Sequence, residues 1–203
     1  MKKQKKLASL LMISIAGGLG FFFSSCEQNE QAKPLGQIRL EYPKASYNDY
    51  QQARDFTFSY SRWAKVISDP NNPSRLTIHY PRMKANMYLT YFPITSKPDL
   101  ISKIKDSEKF VQEQTVKASY ISPQEFHYPE HRVYGTLFEL GGESAINYKF
   151  HVTDSVRNFI SGSVYFSAKP NPDSLAPAIQ YIQSDVKRFI ESVEWKNNSS
   201  TEE

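Results

Sequence analysis

Between Val133 and Val193 the apolar pattern changes period once, and that switch constrains the fold more than any other feature of the chain. Val133 to Leu140 reads as a strand. Ile146, Tyr148, Phe150 and Val152 then alternate with polar neighbours, and Ile160, Gly162, Val164 and Phe166 do so again. Period two marks a strand with one buried face. Gly141-Gly142 reads as a tight hairpin turn, because glycine tolerates the positive φ such turns require. Asp154-Ser155 turns the chain a second time. Three meandering strands imply one antiparallel sheet. After a loop over Lys169-Pro170-Asn171-Pro172-Asp173, the apolar residues Leu175, Ile179, Ile182, Val186, Phe189, Ile190 and Val193 recur mostly at spacings of three and four. That stripe predicts a long amphipathic helix with one face on the sheet. Ser174 is expected to cap it and Pro177 to sit in its first turn, where a missing N–H costs little. Trp195 is expected to close the helix against the sheet.

The first half has the same vocabulary. Ile38 to Tyr42 reads as a short extended segment stopped by Pro43, and Phe56 to Tyr60 as a strand. Asp69-Pro70-Asn71-Asn72-Pro73 is a turn. Leu76, Ile78 and Tyr80, then Ala85, Met87, Leu89 and Tyr91, form the two arms of a hairpin around Pro81–Lys84. Ser96 with Asp99 three residues on is a capping-box pattern that starts a helix ending near Gln114, with Leu100, Ile101, Ile104 and Val111 on one face. Tyr120 to Glu130 reads as irregular because it holds Pro123 and Pro129. No internal repeat stands out. The predicted class is α+β, one domain with an antiparallel sheet flanked by helices.

The N-terminus carries a different signal. Lys2, Lys3, Lys5 and Lys6 precede an apolar run from Leu7 to Phe23, followed by Ser24, Ser25 and the lone cysteine, Cys26. A basic start, a short apolar core and small residues before a cut site describe an export signal. Small residues directly before a cysteine resemble a bacterial lipobox, with Phe23 standing where Leu is usual. Cys26 is then the lipid-attachment residue, and several acyl chains such as palmitate anchor far better than one. An uncleaved anchor helix, or a cleaved soluble protein with a free thiol, are the competing readings. The expected layout is a signal peptide over 1–25, a flexible tether over 26–36, the folded domain over 37–196 and a polar tail over 197–203. Of the 25 basic residues four lie in the signal, which leaves 21 against 21 acidic residues. The basic pI of about 9.0 therefore belongs to the precursor, and nucleic acid is not an expected partner.

Few residues suggest chemistry. The chain has no nucleophile elbow, phosphate-binding loop or dinucleotide fingerprint. His127 and His131 have a helical metal-ligand spacing, but Pro129 between them argues against a helix, and both read as surface residues. His79 and His151 sit in strands among apolar neighbours and should point the opposite way. Glu139 and Glu143 flank the glycine turn and read as solvated carboxylates. Asp154 and Asp173 both follow strands, which would let them face the same end of the sheet, although turn chemistry accounts for them. Arg82 and Lys84 give the Tyr80–Lys84 hairpin tip a basic, aromatic character suited to contact with a partner or a polysaccharide, although an ordinary solvated hairpin tip accounts for it.

Taken together, several segments resemble the gliding motility lipoprotein GldD family of Bacteroidota. They are Arg39-Leu40-Glu41-Tyr42-Pro43, His79-Tyr80-Pro81, Tyr88-Leu89-Thr90-Tyr91, Val116-Lys117-Ala118, Val133-Tyr134-Gly135 and Phe150 to Ser155. The most specific runs from Tyr165-Phe166 through Pro170–Ser174 to Glu194-Trp195-Lys196, whereas 46–73 departs from the pattern. The resemblance implies a non-enzymatic, lipid-anchored envelope protein without cofactor, facing the periplasm from the outer membrane. Its implied partners are other envelope proteins of gliding and type IX secretion. The element order is also similar to the PsbP/Mog1 superfamily at the level of fold. An interaction surface would draw on Arg82, Lys84, Asp154, Asn171 and Asp173. Two alternatives are an envelope enzyme acting on glycans through Asp154, Asp173 or His151, and a small-ligand carrier with a cavity between sheet and helices.

Overall fold

The six strands read from alternation within the described residues all form, and the sheet they build is wider than alternation alone indicates. The computed structural model describes residues 42–53, 55–142, 144–167 and 172–196, with backbone alone at 172–175. In order the elements are β1 (Tyr47–Tyr50), β2 (Phe56–Ser61), β3 (Lys65–Asp69), β4 (Asn72–Tyr80), β5 (Ala85–Pro93), α1 (Lys97–Gln112), β6 (Ala118–Tyr128), β7 (Val133–Gly142), β8 (Ile146–Thr153), β9 (Asn158–Phe166), α2 (Pro172–Glu191) and β10 (Glu194–Trp195). Seven strands form one antiparallel sheet in the order β3-β4-β5-β9-β8-β7-β6, and β1-β2-β10 form a second. The class is α+β, as the patterning predicts.

The two helices lie on opposite faces of the large sheet. Phe150 of β8 points one way and meets Phe189 of α2 at 5.7 Å between ring centroids. Its neighbour Lys149 points the other way, to the ring of Phe110 in α1. The small sheet shares the α2 side: Phe58 of β2 packs on Phe189 at 5.0 Å, and Phe56 on Trp195 at 6.3 Å. Phe189 thus touches both sheets. Its full burial contributes roughly 2–3 kcal/mol. Trp195 closes the bundle as expected, through β10 pairing with β2 and an indole N–H donated to the Arg132 carbonyl at 3.0 Å.

Where the fold departs from the sequence reading, the cause is local. Tyr120–Glu130 is not irregular: most of it is β6, an edge strand, where proline's missing N–H is tolerated. Gly141-Gly142 does not form the turn. Both pair with β6, and a side chain at Gly141 would overlap the Tyr120 ring, while Gly142 takes φ +89°. Helix α2 begins at Pro172, whose fixed φ suits a first helical position, so residue 174 lies inside the first turn and Pro177 inside the helix. Helix α1 ends at Gln112 and tightens into a 3-10 turn over Glu113–Val116. Val111 is buried as expected, but Ile101 is exposed, and Ser107 is buried in its place. Glu143, Asn171, Cys26, the tether, the C-terminal tail and Ile38–Glu41 lie outside the described residues.

A short recurrence escapes the sequence reading. His79-Tyr80-Pro81 and His127-Tyr128-Pro129 each end a strand, enter a 3-10 turn at the proline and leave it through a basic residue in the left-handed region, Lys84 at φ 49° and Arg132 at φ 53°. In each hairpin the histidine faces a cross-strand partner, Asn86 or Tyr134. Because the sheet is antiparallel throughout, the two tips lie at opposite ends of it.

The double contact of Phe189 generates a contrast. Phe189→Ala should cost about 3–5 kcal/mol in urea denaturation, whereas Ile101→Ala, on the face that patterning assigns to the interior, should cost no more than about 0.5 kcal/mol.

Candidate functional site

The basic hairpin tip is exposed as expected. Arg82 stacks over the Trp63 ring at 5.2 Å, and Lys84 holds its left-handed turn while Met83 tucks inward. The other expected surface residues are not grouped with it. Asp154 is buried, and Oδ1 accepts the backbone N–H groups of Val156, Arg157 and Asn158 at 2.8–2.9 Å. Oδ2 accepts the Asn158 amide at 2.7 Å. This carboxylate organises the β8–β9 turn. Residue 173 lies in α2, which follows β9, so it starts from the other end of the sheet. The expected shared end for Asp154 and Asp173 is therefore incorrect, because successive antiparallel strands finish at opposite ends. Glu139 is not a solvated turn carboxylate either. It accepts the Tyr120 hydroxyl at 2.9 Å and the Gln183 amide at 2.8 Å, tying β6 to α2 across a cleft of about 450 Å³.

The histidines are dispersed. His127 packs on Tyr134 at 4.7 Å, and His131 is exposed. His79 Nδ1 lies 2.7 Å from Asn86 Oδ1. Among the described residues no three His, Asp or Glu side chains converge as a metal site. The side chains proposed for a glycan-cleaving site do not meet: Asp154 holds a turn, and His151 lies under α1.

What the structure does bring together is a polar layer between the sheet and α1, which alternation alone would leave in solvent. All eight residues of β8 are buried. On the α1 side these include Lys149, His151 and Thr153. Lys149 Nζ donates to Ser161 Oγ at 2.5 Å and Ser163 Oγ at 3.3 Å, both on β9. It has no carboxylate partner among the described residues. Burial lowers its pKa to about 8. His151 stacks on Phe159 at 5.5 Å, and its Nδ1 is buried without a partner. Burial first, then the Lys149 charge, lowers its pKa to about 4 and keeps it neutral. Beside Lys149 opens a pocket of about 260 Å³, roofed by α1.

A second buried ionisable group lies on the α2 side. The Asp185 carboxyl is enclosed by the hydroxyls of Tyr47, Ser61 and Tyr80, none at good hydrogen-bond geometry to it. Burial therefore prevails over these hydroxyls and raises its pKa to about 6. The tyrosine of the other His-Tyr-Pro turn, Tyr128, likewise faces an acid of α2, Glu191. Neither partnership leaves a trace in sequence, since it depends on how α2 crosses the sheet.

The described residues thus define an α+β protein with a buried polar layer between its large sheet and α1, and no helix among them is long and apolar enough to cross a membrane. A family model described as gliding motility lipoprotein GldD matches residues 27–195, and the chain belongs to that family. The match includes 46–73, where the resemblance by motif is weakest. No curated protein sequence matches the chain significantly.

Asp185 provides a pH test. Its folded pKa lies above the ordinary 3.8, so the folded state holds the proton more tightly. Its stabilising contribution is full below about pH 4 and is lost as the pH rises through about 6. Asp185→Asn should match the parent near pH 4 and exceed its stability by about 3 kcal/mol at pH 7.5, read from urea denaturation at each pH.

Proposed function

We propose that this chain is a non-enzymatic accessory lipoprotein of gliding motility and of the associated type IX secretion machinery. Cys26 carries its lipid, and the domain faces the periplasm from the outer membrane. The observation that carries the reading is the extent and start of the family match: it runs through nearly the whole folded part and opens at residue 27, directly after Cys26. Its make-up supports a role in contact rather than turnover. Phe58, Phe150 and Phe189 fill the space between sheet and α2, which argues against a carrier cavity there. Conversely, α1 covers only part of its own face, leaving Ile67 and Tyr88 exposed on β3 and β5, on either side of Thr77 in β4. The Arg82 and Lys84 tip adds exposed basic surface.

Deleting the gene in a gliding host should abolish colony spreading and leave type IX cargo inside the cell. Restoring the wild-type gene should recover both. A Cys26→Ser copy should recover neither, should incorporate no labelled palmitate and should leave the membrane fraction. Normal spreading and normal cargo secretion in the deletion strain would overturn the reading.

A further inference from the structure

The polar layer under α1 has a property that packing alone does not explain: it holds a buried cation with no anion among the described residues and a buried hydroxyl with no partner. Lys149 is 7% exposed, yet two of its three N–H groups reach only neutral hydroxyls. A buried ammonium with no opposite charge is costly. The pocket that Lys149 lines has Ser107 of α1 in its opposite wall. Ser107 is 5% exposed, and its hydroxyl has no partner. A serine inside a helix ordinarily bonds back to the preceding turn, and this one does not. An ammonium and a free hydroxyl on facing walls are complementary to an anionic acceptor.

The remaining walls narrow the class. Phe92, Phe110 and Phe159 line the pocket with aromatic rings. Lys103, also in the lining, is already paired with Asp99 at 2.7 Å, and Asp106 stands exposed at the rim. One uncompensated buried cation with a carboxylate at the rim suits a monoanion better than a phosphate. At the volume water occupies in the liquid, about 260 Å³ holds about nine non-hydrogen atoms, the size of a carboxylate on one ring.

We propose that the pocket between α1 and strands β5, β8 and β9 binds a carboxylate carried on an apolar, ring-sized group, with Lys149 and Ser107 holding the carboxylate and Phe92, Phe110 and Phe159 the apolar part. The same chemistry is offered by a free aromatic acid and by the C-terminal carboxylate of a partner protein that ends in an aromatic residue. The proposal does not depend on which machinery the lipoprotein serves, and its test needs neither motility nor secretion.

The full-length protein, purified from membranes in detergent, is titrated by calorimetry with benzoate, with uncharged benzamide, and with the peptide Gly-Gly-Phe as free acid and as C-terminal amide. Benzoate is expected to bind with a Kd of about 1 mM or tighter, and benzamide at least tenfold more weakly. Lys149→Met should weaken benzoate at least tenfold while melting at a higher temperature than the parent, because an unpaired buried charge is gone. Ser107→Ala should weaken it several-fold with the fold unchanged by circular dichroism, and this variant carries the test if Lys149→Met fails to fold. Binding of the peptide acid but not its amide assigns the source to a protein terminus, and binding of benzoate alone assigns it to a free acid. Absence of binding by both acids, equal binding of benzoate and benzamide, or undiminished benzoate binding by either variant overturns the proposal.

Discussion

Strand β8 is buried on both faces along its whole length, and the rest of the structure is arranged around that condition. One face is apolar and packs on α2. The other carries Lys149, His151 and Thr153 and is covered by α1. A strand in the middle of a seven-stranded sheet loses water on both sides once helices cover it, so each polar group needs a partner from its neighbours. Strand β9 supplies most of them, with Ser161, Ser163 and the carbonyl of Asn158. It also supplies Gly162, opposite Phe150, where any side chain would overlap the Phe150 ring. The glycine that interrupts an otherwise apolar alternation is therefore the space the ring occupies.

Helix α2 joins the two sheets. Phe189 reaches Phe58 on one and Phe150 on the other, and the chain after the helix returns through β10 to place Trp195 on the Arg132 carbonyl. Its buried acid, Asp185, lies among tyrosines rather than among bases. Together with Lys149 across the sheet, it is a place where the fold retains an ionisable group against the cost of burial. Neither contributes to packing what an apolar residue of similar volume would, and the two are separated by the sheet, so they cannot neutralise each other.

Legibility in the sequence followed burial. The strands read from alternation, β2, β4, β5, β7, β8 and β9, each bury one face in the apolar core. The strands that escaped notice, β1, β3, β6 and β10, are edge strands. An edge strand buries little, so its sequence need not alternate, and β6 can even carry Pro123 within it. The recurrence of His-Tyr-Pro escaped for a related reason: three residues are too short to register as a repeat, and only equal backbone angles at Lys84 and Arg132 reveal the shared turn.

The sequence by itself determined the class, the central strands, the helix that joins the sheets, the capped start of α1 and the family. These rest on local periodicity and on motifs that hold wherever the chain goes in space. It also marked Cys26 and the basic tip at Arg82 and Lys84. Only the tertiary structure decided that the polar side of β8 is interior, because alternation reports that one face of a strand is apolar and is silent on what covers the other. The same covering helix turned Lys149 from a solvated strand residue into a buried cation, and the antiparallel order placed Asp154 and residue 173 at opposite ends of the sheet.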